Sequence, residues 1–182
     1  QTMRKLQIGV MGSCADLKYE KKIEKLAEKI GELIANSKAT LMFGAEKDYD
    51  SLSTAACRGA KKKGGLAVGV TYNKGKNIYQ KDADVVIATG LDRGGGRELV
   101  LSLSCDAIIA ISGGSGTLTE LAIAYQGDIP MVVLEGSGGW ADKLANSYLD
   151  ARKRRKIYGA KTPEEAVRLA LQLAKEYQKK YG

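Results

Sequence analysis

The sequence predicts an α/β protein: a single doubly wound parallel sheet in a three-layer αβα sandwich. Short apolar runs of strand length alternate with amphipathic stretches of helical period along the whole chain. Gly/Ser-rich loops follow strands at residues 12–14, 44–45, 89–96 and 112–117. In a parallel sheet such loops gather at the carboxyl edge, where ligands bind beside the point of strand-order reversal. The 182 residues, 44% hydrophobic and 27% charged, suit one domain spanning 1–182.

The elements follow in order. Leu6 to Val10 reads as the first strand, with Met11-Gly12-Ser13-Cys14 as a loop small enough to lie under a ligand. Tyr19 to Asn36 is an amphipathic helix with Ile23, Leu26, Ala27, Ile30, Leu33 and Ile34 on one face. Ala39 to Phe43 is the second strand. Asp50 or Ser51 caps a helix to about Lys63, which Gly64-Gly65 ends. Leu66 to Val70 and Asp84 to Ala88 are the next strands, on either side of an irregular polar segment. The loop Thr89 to Gly96 leads into a helix from Arg97 to Ser104. The central strand is Ala107 to Ile111. After its glycine loop, Leu118, Leu121, Ala122 and Tyr125 mark one face of a helix, and Met131 to Leu134 is the sixth strand. A flexible loop, Gly136 to Trp140, precedes a short helix, and Ile157 to Ala160 is the last strand. Thr162-Pro163 is an N-cap followed by proline at the first helical position, opening a final helix to about Lys179.

The chemistry centres on Ser112-Gly113-Gly114-Ser115-Gly116-Thr117. A strand, a glycine loop and a helix start bring unpaired N–H groups and the positive end of a helix dipole to one point, which suits a phosphate. Glu120 is expected in the first helical turn, with its carboxylate over the loop.

Composition excludes much else. There is no histidine, so Ser-His-Asp and Cys-His catalysis and imidazole-bound metals are ruled out. Acid–base work falls to Glu, Asp, Lys, Tyr or the substrate. Cys14, Cys57 and Cys105 lack CxxC spacing, which argues against a disulfide framework or a zinc site; no metal is expected. Cys57 and Cys105 fall in helical patterns as small buried hydrophobes. No apolar run is long enough for a membrane span, and the opening Gln1-Thr2-Met3-Arg4-Lys5 has no signal-peptide pattern, so a cytoplasmic location is expected. The net charge of +8 favours anionic partners.

The Walker pattern is absent, as is a G-x-G-x-x-G after the first strand. Arg97 is followed 16 residues later by Gly113-Gly114-Ser115-Gly116-Thr117, and then by Glu120. This segment resembles the "Lonely Guy" family of nucleoside-monophosphate phosphoribohydrolases, long labelled lysine decarboxylases. Their PGGxGTxxE motif follows an Arg-Lys pair at the same spacing, and Gly12-Ser13 looks like their first-strand loop. Three departures stand out: Ser112 replaces the proline, Glu98 replaces the lysine, and Gly44-Ala45-Glu46 replaces a run of glycines. With Gly94-Gly95-Gly96 before Arg97, the chain is closer to a sister branch of Rossmann-like proteins. That branch includes the molybdenum-cofactor carrier protein and is distantly similar to DNA-processing DprA proteins.

The resemblance implies a phosphate or ligand site at Gly12, Ser13, Gly44, Gly96, Gly113, Gly114, Ser115, Gly116 and Thr117, with Arg97 and Glu120 as catalytic candidates. An AMP-like nucleotide or a molybdopterin-type molecule is the implied ligand, with no further cofactor required. In the hydrolase reading, Glu120 stabilises an oxocarbenium-like ribose and Arg97 steadies the leaving base or phosphate. The other readings are a non-catalytic carrier or sensor and a nucleic-acid-binding module. A homodimer or higher homo-oligomer is implied by the family alone. Lys61-Lys62-Lys63 reads as solvated. Arg152-Lys153-Arg154-Arg155-Lys156 reads as a solvated or interface run, with nucleic acid as the alternative. Trp140 is read as either a base-stacking lid or a packing residue.

Overall fold

The computed structural model describes residues 3–182; Gln1 and Thr2 of the opening segment lie outside the described residues. The strands are β1 (Gln7–Gly12), β2 (Thr40–Gly44), β3 (Ala67–Thr71), β4 (Val85–Ala88), β5 (Ala107–Ile111), β6 (Met131–Leu134), β7 (Ser147–Tyr148) and β8 (Lys156–Ala160). The helices are α1 (Lys21–Asn36), α2 (Leu52–Lys62), α3 (Arg97–Leu103), α4 (Ser115–Gln126), α5 (Gly139–Leu144) and α6 (Pro163–Tyr181). They build one eight-stranded sheet in the order β4-β3-β2-β1-β5-β6-β8-β7. All pairings are parallel except the antiparallel edge pair β7–β8. The chain winds outward from β1 through β2 to β4, then returns beside β1 at β5 and winds the other way. The switch point therefore lies between the carboxyl ends of β1 and β5.

Both sheet faces are covered, and alternate residues of each strand feed separate cores. Ile8, Val10, Leu41, Phe43, Ile109 and Ile111 join Ile23, Ala27, Ile30 and Ile34 of α1 and Ala166, Ala170 and Ala174 of α6. Met11, Met42, Ile108 and Ala110 point to the opposite face, against Leu101 of α3 and Leu121, Ala124 and Tyr125 of α4. Side-chain caps form where the sequence predicts them. Ser51 accepts from Thr54 N–H at 3.0 Å and Thr162 from Glu165 N–H at 3.1 Å, with Pro163 in the first turn.

Several boundaries differ from expectation. Met11 and Gly12 belong to β1, because the ladder to β5 continues to the Gly12–Ile111 pair. β3 runs from Ala67 to Thr71, one residue later than predicted. The edge strand β7 has two residues, too short for any periodicity to reveal. Cys105 lies just beyond α3; it is buried, and its thiol donates to Leu101 C=O at 3.2 Å. Lys61 and Lys62 are not simply solvated: their ammonium groups pair with Asp84 and Glu28 at 2.7 and 2.8 Å. Among the described residues, no helix is long and apolar enough to cross a membrane.

Candidate functional site

A cleft of about 370 Å³ opens over the switch point. Its floor and walls come from the ends of β1 and β2, the approach to α3 and the start of α4.

The turn from β5 into α4 forms one wall of the cleft. Ser112 (φ 53°) and Gly113 (φ 105°) are both left-handed, which reverses the chain sharply enough to aim α4 at the cleft. A non-glycine residue held there is strained, and its neighbours compensate. Ser112 N–H donates to Ser137 Oγ at 2.7 Å, and Ser112 C=O accepts from Ala141 N–H at 3.0 Å. Proline, with φ locked near −65°, is excluded from this conformation and has no N–H for Ser137. The loop in this conformation therefore excludes the motif's proline. Gly113 is also fully engaged: its N–H donates to Ser13 Oγ at 2.8 Å, and its C=O accepts from Trp140 N–H at 3.0 Å.

The N–H groups of Gly114, Ser115, Gly116 and Thr117 have no backbone or side-chain acceptor among the described residues. All four residues line the cleft. They are the orphan donors of a helix start, and the α4 dipole adds to their pull on an anion.

Two buried ionisable side chains line the same cleft. Glu120 is 6% exposed and lines the cleft. It sits in the second turn of α4, not the first, because the helix begins at Ser115. Burial lifts its carboxyl to about 7; Arg97 opposes the rise, while Glu98 and Glu46 add to it. Arg97 is 7% exposed, with Nη1 3.5 Å from Val70 C=O, Nη2 3.5 Å from Glu46 Oε1 and a buried Nε without a partner among the described residues. A Cβ on Gly44 would collide with the Arg97 guanidinium, so Gly44 serves the site by making room.

The structure brings Gly12, Ser13, Gly44, Gly114, Ser115, Gly116, Thr117, Arg97 and Glu120 together around the cleft. Gly96 and Gly113 stand behind its surface. Gly96 is the N-cap of α3, where a side chain would strike Leu91, and Gly113 shapes the turn. Trp140 lies on α5 outside the cleft lining, with Lys143 Nζ 4.6 Å from its ring centroid. Arg152 and Arg155 of the basic run are engaged by Asp150 and Asp128. Cys14 lines the cleft, and burial, with Glu46 and Asp16 adding, pushes its thiol up to about 11, so it is no ready nucleophile.

Sequence reasoning passed over Glu46, Arg93 and Tyr72. The Glu46 carboxylate accepts from Tyr72 Oη–H and, at 3.2 Å, from Arg93 Nη2. The change from glycine to Glu46 was visible as a departure from the motif, but nothing local showed where its carboxylate would point. Glu98, another departure, is buried, and its Oε2 accepts from Gly94 N–H at 3.1 Å.

Comparison with known proteins identifies relatives of the same fold. An uncharacterized protein from Archaeoglobus fulgidus is 37% identical over 142 residues, covering 74% of this chain and 87% of that protein. The molybdenum cofactor binding protein from Rippkaea orientalis superposes with a TM-score of 0.79 at 29% identity, covering 94% of this chain and 99% of the other. The molybdenum cofactor carrier protein from Chlamydomonas reinhardtii gives 0.77 at 27% identity, covering 93% and 98%. The profile of the SLOG cluster4 family matches residues 5–167, and the chain belongs to that family.

Proposed function

We propose that this protein holds a phosphorylated nucleotide- or pterin-like ligand as a carrier or sensor. The phosphate rests on the N–H groups of Gly114 to Thr117, and the rest of the ligand lies toward Arg97 and Glu120. The observation that carries this reading is the set of four amides, without an acceptor among the described residues, that open at the sheet's switch point into a cleft of about 370 Å³. The cofactor-binding and carrier proteins of similar structure support the carrier role.

A second reading, hydrolysis of a nucleoside 5′-monophosphate, is favoured by one feature. Glu120 is buried beside Arg97, accepts no hydrogen bond from the described residues, and has a carboxyl at about 7. A carboxyl that still holds its proton near neutral pH suits a general acid, donating to the departing base as the N-glycosidic bond breaks. Incubation with AMP, GMP, CMP, UMP and IMP, following free base and ribose 5-phosphate, separates the two. A thermal shift without base release supports the carrier; release that disappears in Glu120→Gln supports the hydrolase.

We also infer that a second copy covers the apolar groove between α3 and α4, where Leu99 and Leu103 are 46% and 52% exposed beside Leu118 and Ile123. Sedimentation of wild type against Leu103→Glu tests this, with a dimer expected only for the wild type. The nucleic-acid reading has less support, because two of the three arginines in 152–156 are held by carboxylates. Salt-dependent binding of a DNA oligonucleotide, lost when that run is neutralised, would restore it.

A further inference from the structure

The cleft has a second charged end that the α4 amides leave unexplained. Arg93 and Arg97 line it from the approach to α3, and Glu46 lines it from beyond β2. The Glu46 carboxylate is 4% exposed and serves both guanidinium groups, with Oε2 3.2 Å from Arg93 Nη2 and Oε1 3.5 Å from Arg97 Nη2. Two cations therefore share one carboxylate. Arg97 is the worse served, since both of its polar contacts are at the 3.5 Å limit and its buried Nε has none. A guanidinium carries five donors, and leaving them unpaired inside a protein is costly. Arg93 differs. Its side chain is 62% exposed and lies 4.6 Å above the Tyr72 ring, on a segment followed by three glycines, so it can change partner without disturbing a core. The cleft's other carboxylates are less available to this pair: Glu98 is held by Gly94 N–H, burial disfavours the charged form of Glu120, and Asp16 forms an ion pair with neither arginine.

We propose that this end is a second anion subsite, filled by the protein's own Glu46 until a ligand arrives, and that the ligand bears two phosphate groups. The first phosphate rests on the α4 amides, as in the function proposed above, on which this inference depends. The second takes Arg93 and the unused donors of Arg97 from Glu46.

Calorimetric titration with inorganic phosphate, pyrophosphate, AMP, ADP and adenosine 3′,5′-bisphosphate tests this on wild type, Arg93→Gln, Glu46→Gln and Gly116→Asp. Thermal unfolding verifies that each variant is folded. A two-phosphate probe is expected to bind wild type about tenfold or more tighter than its one-phosphate counterpart, the scale of one charge-assisted hydrogen bond. Arg93→Gln should erase that advantage and leave one-phosphate binding unchanged. Glu46→Gln, which keeps a partner for Tyr72 but removes the competing charge, should increase the advantage severalfold. Equal affinity for one- and two-phosphate probes in wild type and Arg93→Gln overturns the second subsite and leaves the first standing. Failure of every probe to bind, or binding indifferent to Gly116→Asp, overturns the amide site and this proposal with it.

Discussion

Replacing Glu120 with glutamine should change the pH dependence of stability in a calculable way. Burial raises the Glu120 carboxyl from 4.5 to about 7 in the folded protein. Between those values the folded state holds a proton that the unfolded chain has released, so stability is fully present below pH 4.5 and is lost as pH rises through 7. A shift of that size corresponds to about 3 kcal/mol, at roughly 1.4 kcal/mol per pKa unit. The chain contains no histidine, so the usual titration in this window is missing and the wild-type slope is unusually clean. Glutamine keeps the shape of the protonated acid and cannot ionise. Urea unfolding at half-unit steps from pH 5 to 8.5 should show wild type losing about 3 kcal/mol that Glu120→Gln retains, the variant being the more stable protein at pH 8. Parallel curves for the two proteins would refute the reasoning, because Glu120 would then ionise in the fold as freely as in the unfolded chain. The same linkage acts on the ligand: a bound phosphate disfavours a charged Glu120, so binding takes up a proton and weakens above pH 7.

Other substitutions probe the remaining parts of the site. Ser112→Pro should cost about 3 kcal/mol or more in urea unfolding, since it forces φ away from 53° and removes the donor to Ser137. Gly116→Asp should leave stability equal or raise it by about 0.5 kcal/mol, because a first-turn carboxylate suits the helix dipole. A Cβ at Gly116 meets nothing within 4 Å, so the same variant should abolish phosphate binding in calorimetry by charge alone. Asp106→Ala should destabilise by about 2–3 kcal/mol, since the nearly buried carboxylate holds Arg4 through two 2.7 Å contacts and Gln7 N–H at 2.8 Å. An unfolding midpoint unchanged from wild type would show that these bonds contribute nothing net.

Much of the architecture is legible because it depends on local spacing. On β2, Leu41 and Phe43 belong to one core and Met42 to the other, so the strand is apolar throughout, as a strand covered on both faces must be. On α1, Ile23, Ala27, Ile30 and Ile34 recur at the helical period and are buried. The glycine loops gather at one edge because parallel strands all end there. Close approach is not legible in that way. Glycine inside a helix is costly by local propensity, yet a Cβ on Gly31 or Gly59 would strike the backbone of the facing helix, so they bring α1 and α2 together. Glu120 was legible by type and spacing, but its elevated carboxyl comes from burial, which no run of neighbours reveals.

The sequence by itself determined the strand–helix alternation, the glycine-rich loop between β5 and α4 and the absence of imidazole chemistry, because these follow from residue type and short-range period. The tertiary structure alone decided that Gly113 spends both backbone groups on the turn while Gly114 to Thr117 find no acceptor for their N–H groups among the described residues. It also decided that Glu46, Tyr72, Arg93 and Arg97 meet at one end of the cleft. Those residues come from segments joined only by the closing of the sheet, and whether a donor is satisfied or a charge is paired depends on distances that exist only once it has closed.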